Sequence, residues 1–195
     1  MSSEAETTRE RILSSCLQLL EKGDGRGVRM SDIAKHAGVS RQAVYLHFGN
    51  RAELLAQTTF YLDRIHNTDA HLAPSRAAKT GIERLNAFLK AWTDYLPVVW
   101  PSLHALAILA EHDEDARKVL DHRMQDLWEG CDAAIAALER DGTLAEEYTR
   151  AEASDLLWAF IKSGIWHDLT SKKKWSQPQY GEVLLKSANR LFVKT

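Results

Sequence analysis

A chain of 195 residues, 45% of them hydrophobic, is long enough to bury a sizeable core and suggests one or two domains. Its 25 Lys and Arg nearly balance 27 Asp and Glu for a net charge of −2, which excludes a protein that coats a polyanion along its whole length. Its two cysteines, Cys16 and Cys131, stand in separate helical patterns, which excludes a disulfide framework or a zinc-ligand spacing and fits a reducing compartment.

Helical periodicity dominates and strand alternation is absent. Thr7-x-x-Glu10 reads as a capping box opening a first helix with the apolar stripe Leu13, Cys16, Leu17 and Leu20, closed by a Gly23–Gly27 loop. Residues 31–49 then read as two short helices broken at one glycine, the grammar of a helix-turn-helix. Ile33, Ala34 and Ala37 form the apolar face of the earlier helix, Gly38 supplies the positive φ of the turn, and Val39 fills the corner. Ser40 caps the later helix, from which Val44 and Phe48 point back into the same core at i+4 spacing. No carboxylate occurs from Gly38 to Ala52. Between Arg26 and Arg51, the cations Arg26, Arg29, Lys35, Arg41 and Arg51 face one acid, Asp32, for a local charge of +4. From residue 67 onward, 16 basic residues meet 19 acidic ones, so the positive charge sits at one end.

A helix-turn-helix places the first turns of its second helix in the DNA major groove. Arg41 then reaches guanine O6 and N7, Gln42 pairs adenine, and the Ala43 methyl lies against a thymine methyl. The run Asp-Ile-Ala-x-x-Ala-Gly-Val-Ser-x-x-x-Val-Tyr-x-His-Phe, followed by Asn50, Arg51 and Glu53-Leu54-Leu55, resembles the DNA-binding domain of tetracycline-repressor (TetR-like) regulators. The resemblance covers about residues 7 to 66; the rest matches only as a helical sequence of the expected length. It implies an all-α, nine-helix, two-domain regulator bound to a double-stranded operator. Residues 1–50 would carry the N-terminal helix-turn-helix three-helix bundle, a fourth helix over 51–67 would bridge, and 68–195 would bind a ligand and dimerise. Tyr45 and His47 match family positions that touch phosphates, and Arg51 with the N-terminus of the fourth helix offers another phosphate contact. Two departures stand out. Arg29 occupies the position of a common Thr or Ser cap, leaving Ser31 to cap in its place, and Leu46 replaces a second Tyr.

Asn50-x-x-Glu53 caps the fourth helix, which runs to a break over residues 67–74. Five helices are expected beyond it, at 76–95, 98–111, 114–140, 150–171 and 177–193, with Pro97 and Pro101 separating the first two. Thr149-x-x-Glu152 and Ser176-x-x-Gln179 are further capping signals. All six Trp lie beyond residue 90. Converging Trp with polar neighbours make a wall for an aromatic or apolar effector, and the candidates are Trp92, Trp100, His104, Trp128, Asp132 and Trp158. The resemblance puts Trp92, Trp100, His104 and Trp128 on the three helices that enclose an inducer cavity. Apolar positions on more than one stripe of the last two helices suggest burial against a second copy through Phe160, Gly164, Leu184, Ala188, Leu191 and Phe192.

Glu111-His112-Asp113-Glu114-Asp115 looks like a metal cluster, but adjacent residues at a helix end diverge, and a solvated turn with an Asp cap is expected. No cofactor, no metal and no catalytic residue is expected. No apolar run approaches ~18 residues and the first residues are acidic, unlike a signal peptide, so no membrane partner and a cytoplasmic location are expected. The leading reading is a repressor released from a palindromic operator by a small molecule. A ligand-independent regulator and an all-helical enzyme or carrier are the alternatives.

Overall fold

The computed structural model describes residues 7–22 and 28–194; the Gly23–Gly27 loop and the acidic first residues lie outside it. Among the described residues the elements are α1 (Thr8–Lys22), α2 (Met30–His36), α3 (Arg41–His47), α4 (Arg51–Ile65), α5 (Thr68–Ala77), α6 (Gly81–Ala110), α7 (Glu114–Arg140), α8 (Arg150–Phe160), α9 (Ser163–His167), a π-helical turn (Asp168–Lys172) and α10 (Gln177–Phe192). Counting α8, α9 and the π turn as one interrupted run gives the nine helical runs expected of the chain. No helix of the described residues is long and apolar enough to cross a membrane.

The local start signals operate as read. Thr7 and Glu10 exchange hydrogen bonds at the head of α1, Asn50 Oδ1 accepts from Glu53 N at 2.8 Å, and Ser176 Oγ accepts from Gln179 N at 3.2 Å. Thr149 and Glu152 form a complete capping box. The expected cap at Ser31 does not form. Ser31 lies inside α2, whose N-cap Arg29 makes no side-chain cap, and Asp32 supplies the negative charge favoured in a first helical turn.

Two differences lie beyond the fourth helix. The expected break over residues 67–74 is the helix α5, which contains Pro74. The two helices expected around Pro97 and Pro101 are one, α6. A proline inside a helix removes the N–H that would bind the carbonyl four residues earlier, here Thr93. Gln177 Nε2 donates to the Thr93 carbonyl at 2.6 Å, and Gln177 Oε1 accepts from Trp166 Nε1 at 2.7 Å. The first residue of α10 thus satisfies the bond that Pro97 leaves unmade.

The chain divides into two compact units, Met1–Asn67 with Val99–Arg123, and Thr68–Val98 with Met124–Thr195. The first therefore takes in residues 99–123, which the sequence reading left with the C-terminal part. The reason is burial: Leu106, Leu109, Ala116 and Val119 join Ile12, Leu13, Ile33, Val44, Phe48 and Leu54 in one core. In the second unit Leu85, Leu89, Leu96, Ile135, Leu138, Leu157, Leu184, Ala188 and Phe192 form the core. Gly81 is required there, because a Cβ would lie 2.5 Å from the Leu138 nitrogen. Cys16 and Cys131 are both buried, and burial pushes the Cys16 thiol up to about 11 and raises Cys131 as well, so neither is poised as a thiolate.

Among the described residues the Tyr180 hydroxyl is buried without a hydrogen-bond partner. Burial raises its pKa to about 12. An unpaired buried hydroxyl costs about 1–3 kcal/mol, and a phenyl ring of the same shape does not carry that cost. Tyr180→Phe should therefore be more stable than the natural chain, by about 2–4 °C in melting temperature for each kcal/mol recovered. Thermal unfolding followed by circular dichroism checks this; an unchanged or lower midpoint would mean the hydroxyl is satisfied in solution.

Candidate nucleic-acid interface

The exposed face of α3 is built by what its opposite face buries. Val44 and Phe48 are fully buried, and α2 and α3 meet at a turn in which Gly38 takes φ +66°. Ser40 Oγ accepts from Ala43 N at 3.0 Å, fixing the first turn of the helix. Arg41, Gln42, Tyr45, Leu46 and His47 are exposed, and Ala43 is half-buried. The first turn of α3 holds no acid. Arg41 lies 5.6 Å over the Tyr45 ring and donates to its hydroxyl at 3.4 Å, so cation and phenol form one platform. Lys35 and His36 are exposed on α2, on the same short motif. Leu46, 82% exposed, was noted in the sequence only as a departure. Its position four residues after Gln42 is the signal that places it on the outward face.

Arg51 requires a correction. Its Nε donates to the Val28 carbonyl at 2.8 Å and its guanidinium pairs with Asp113 at 2.5 Å, with only 20% of the side chain exposed. Its Nε and Nη1 are thus engaged within the protein, and the phosphate contact expected of it would compete with these bonds. Asp113 also accepts from Ala116 N at 2.9 Å, the cap that the sequence suggested for α7.

The residues expected to hold an effector are divided between the units. Trp100 and His104 belong to the first, their rings stacked at 4.8 Å. Trp92, Trp128, Asp132 and Trp158 belong to the second. There the indole N–H of Trp92 donates to the Ile161 carbonyl, that of Trp128 to Asp155 and that of Trp158 to the Met124 carbonyl. Lys162 Nζ sits 3.8 Å over the Trp158 ring. Asp132 is again a correction. Arg150 binds both of its oxygens, at 2.9 and 2.5 Å, and Ser154 donates to one of them at 3.0 Å, so the carboxylate is engaged within the chain rather than aimed at a ligand.

Of the residues expected at a dimer contact, Leu184, Ala188 and Phe192 are likewise corrected. They are buried in their own unit's core and offer nothing to a partner. Phe160 is half-buried, Gly164 is exposed with open space around it, and Leu191 is exposed. Leu156, Ile165 and Val183 are further exposed apolar residues of the same region, beyond the six expected at a contact.

Residues 12–58 match the family described as bacterial regulatory proteins, tetR family. The HTH-type transcriptional regulator TtgR of Pseudomonas putida is 26% identical over 167 residues, spanning 81% of this chain and 78% of that protein. The probable HTH-type transcriptional regulator ArpR of Pseudomonas putida is 34% identical over 87 residues, 45% of this chain and 40% of that one. A crystal structure of a putative TetR-family transcriptional regulator from Rhodococcus sp. has a TM-score of 0.72 at 22% identity, covering 94% of this chain and 97% of that one, and shows the same fold. Over residues 12–58 the chain matches the tetR family of bacterial regulatory proteins, its all-α fold is that of a TetR-family structure, and the relatives it resembles are regulators of transcription.

The pairing of Asp132 has a measurable consequence. Hydrogen bonds from Arg150 first, and from Ser154 next, hold its carboxyl below the ordinary range against an opposing push from burial. A depressed folded pKa means that the pair contributes stability above the unfolded value of about 3.9 and loses it as pH falls through the folded pKa. Arg150→Gln should raise the Asp132 pKa toward that ordinary value. Carboxyl-selective NMR titration reads it directly, and an unmoved Asp132 would show that Arg150 is not what lowers it.

Proposed function

We propose that this chain is a homodimeric, cytoplasmic repressor that binds a palindromic operator through α3 and is released from it by a small-molecule effector. In this reading residues 1–50 bind DNA, 51–67 bridge, and 68–195 bind the effector and dimerise. The observation that carries it is the outward face of α3, capped by Ser40, free of acids in its first turn, and presenting Arg41, Gln42 and Tyr45 together. Arg41 and Gln42 suit base edges, Ala43 and Leu46 suit thymine methyls, and Tyr45 and His47 suit phosphates.

Arg41→Ala and Gln42→Ala should each relax sequence preference at one base pair, at a cost of about 1–3 kcal/mol. Competition between individual duplexes selected by the natural chain from a randomised palindromic library measures it. Equal loss of affinity for every duplex would assign Arg41 to the backbone instead.

Dimerisation rests on the apolar side chains exposed on two neighbouring parts of the sequence, Leu156 on α8 and Val183 and Leu191 on α10. Val183 and Leu191 are eight residues apart, two turns of one helical face. Val183→Asp with Leu191→Asp should yield a folded monomer, because each puts a charge where a dimer would exclude water, without touching the buried Leu184, Ala188 and Phe192. Sedimentation velocity decides, and an unchanged dimer would move the interface elsewhere.

A second reading has an observation of its own. The indole N–H groups of Trp92, Trp128 and Trp158 and the Asp132 carboxylate all have partners within the chain, which suits a regulator without an effector. Operator affinity measured across a panel of aromatic and apolar compounds separates the two readings. An effector couples by about 1–3 kcal/mol, a 5- to 150-fold loss of affinity.

A further inference from the structure

We infer that Arg51 and Asp113 form a positioning pair for the recognition helix, coupling operator affinity to the N-terminus of α7. This rests on the DNA-binding reading above and adds to it a determinant that touches no DNA.

Three connections meet at Arg51. Its Nε binds the Val28 carbonyl, two residues before α2 begins; its own backbone opens α4; and its guanidinium binds Asp113, which caps α7. The two oxygens of Asp113 divide the work, Oδ1 accepting from the Ala116 N–H and Oδ2 from Arg51. Both side chains are about three-quarters or more withdrawn from water, so the pair is less screened than a surface pair and has one geometry. A second pair, Arg123 with Asp63 at 2.8 Å, ties the far end of α4 to α7. The helices α4 and α7 are thus held at both ends of their contact. Between the two ties Ala52, Ala56, Phe60, Val119 and His122 line an open groove of about 360 Å³, so packing alone does not fix the two helices there.

The two-helix motif α2–α3 hangs on this arrangement at both ends. Only Phe48, Gly49 and Asn50 separate α3 from Arg51, and Val28 leads into α2, the other helix of the motif. A displacement of Asp113 is therefore passed through one guanidinium to the start of α2 and to the residues that end α3. A planar guanidinium holds two partners in fixed directions, which the point charge of a lysine does not.

The two alternatives for Arg51, a structural pair or a phosphate ligand, and the inferred role differ in sign. Asp113→Ser keeps an oxygen able to cap α7 but removes a negative charge. By charge alone, loss of an anion strengthens binding to DNA. A positioning role requires the reverse, a fall in affinity of about tenfold or more, comparable to one lost base contact. Arg51→Lys keeps the charge and should show a similar fall, because a point charge does not hold both partners, whereas a phosphate contact would survive the exchange of one cation for another. In the double variant the two losses should not add, because they break one connection.

The test uses the full chain and the duplex that it selects from a randomised palindromic library, with affinities measured over a range of salt at a temperature where circular dichroism shows every variant folded. Amide hydrogen exchange in α3 supplies the second measurement and should quicken in both single variants while that in α10 does not. Natural or increased affinity in Asp113→Ser, additive losses in the double variant, or unaltered exchange in α3 would overturn the inference while leaving the DNA-binding reading intact. If the natural chain selects no duplex, the DNA-binding reading fails, and this inference with it.

Discussion

Seven residues do not make a stable helix in water, yet α3 is only seven residues long. Its shape is held by the burial of Val44 and Phe48 and by the Ser40 cap, and every other feature of its exposed face depends on that anchorage. Phe48 has a second hold, with the Arg9 guanidinium 5.0 Å above its ring, and Arg9 in turn donates to Gln57 on α4. So α1 and α4 do more than complete a bundle. They confine the far end of α3 from the other side of the core, so that Arg41, Gln42 and Tyr45 stand on a rigid base and lose little freedom when they meet a ligand.

The second unit solves a different problem, the housing of many polar groups on large apolar side chains. Indole N–H groups find backbone carbonyls or carboxylates, and the carbonyl freed by Pro97 finds Gln177. That last contact explains how α6 runs through Pro97: the missing bond is supplied by a residue from α10 rather than by the helix's own backbone. The Tyr180 hydroxyl stands outside this scheme, which makes it the one place among the described residues where a buried side-chain donor has no partner.

What was legible in the sequence was local. Capping boxes, the Gly38 turn and the alternation of buried and exposed residues on α3 depend on partners three or four positions away, so spacing alone reveals them. What was illegible depends on distant partners. Arg51 read as a phosphate ligand because Asp113, which claims it, lies 62 positions further on. Asp132 read as a ligand-orienting acid because Arg150 lies 18 positions on. Pro97 read as a break because Gln177, which repairs it, is 84 positions from Thr93. A two-striped helix such as α10 shows that two faces are apolar but not which one its own chain covers, which is why Leu184, Ala188 and Phe192 were set on the wrong side.

The near-neutral composition also finds its explanation in these pairings. In the first unit five of the described acids around the motif have a structural task. Glu10 caps α1 and meets Arg64, Glu21 accepts from Ser102, Glu53 accepts from the Gly49 N–H, Asp63 meets Arg123, and Asp113 meets Arg51 while capping α7. Negative charge spent on helix N-termini and on inward-facing guanidinium groups is largely cancelled within a few ångströms, and salt screens what remains beyond about 10 Å. Among the described residues Arg41 faces water with only a phenol beside it. A polyanion approaching α3 therefore meets an uncompensated cation, although the whole chain carries a net negative charge. The acids do not oppose the proposed DNA-binding face; engaged in pairs and caps around it, they help to hold that face in shape.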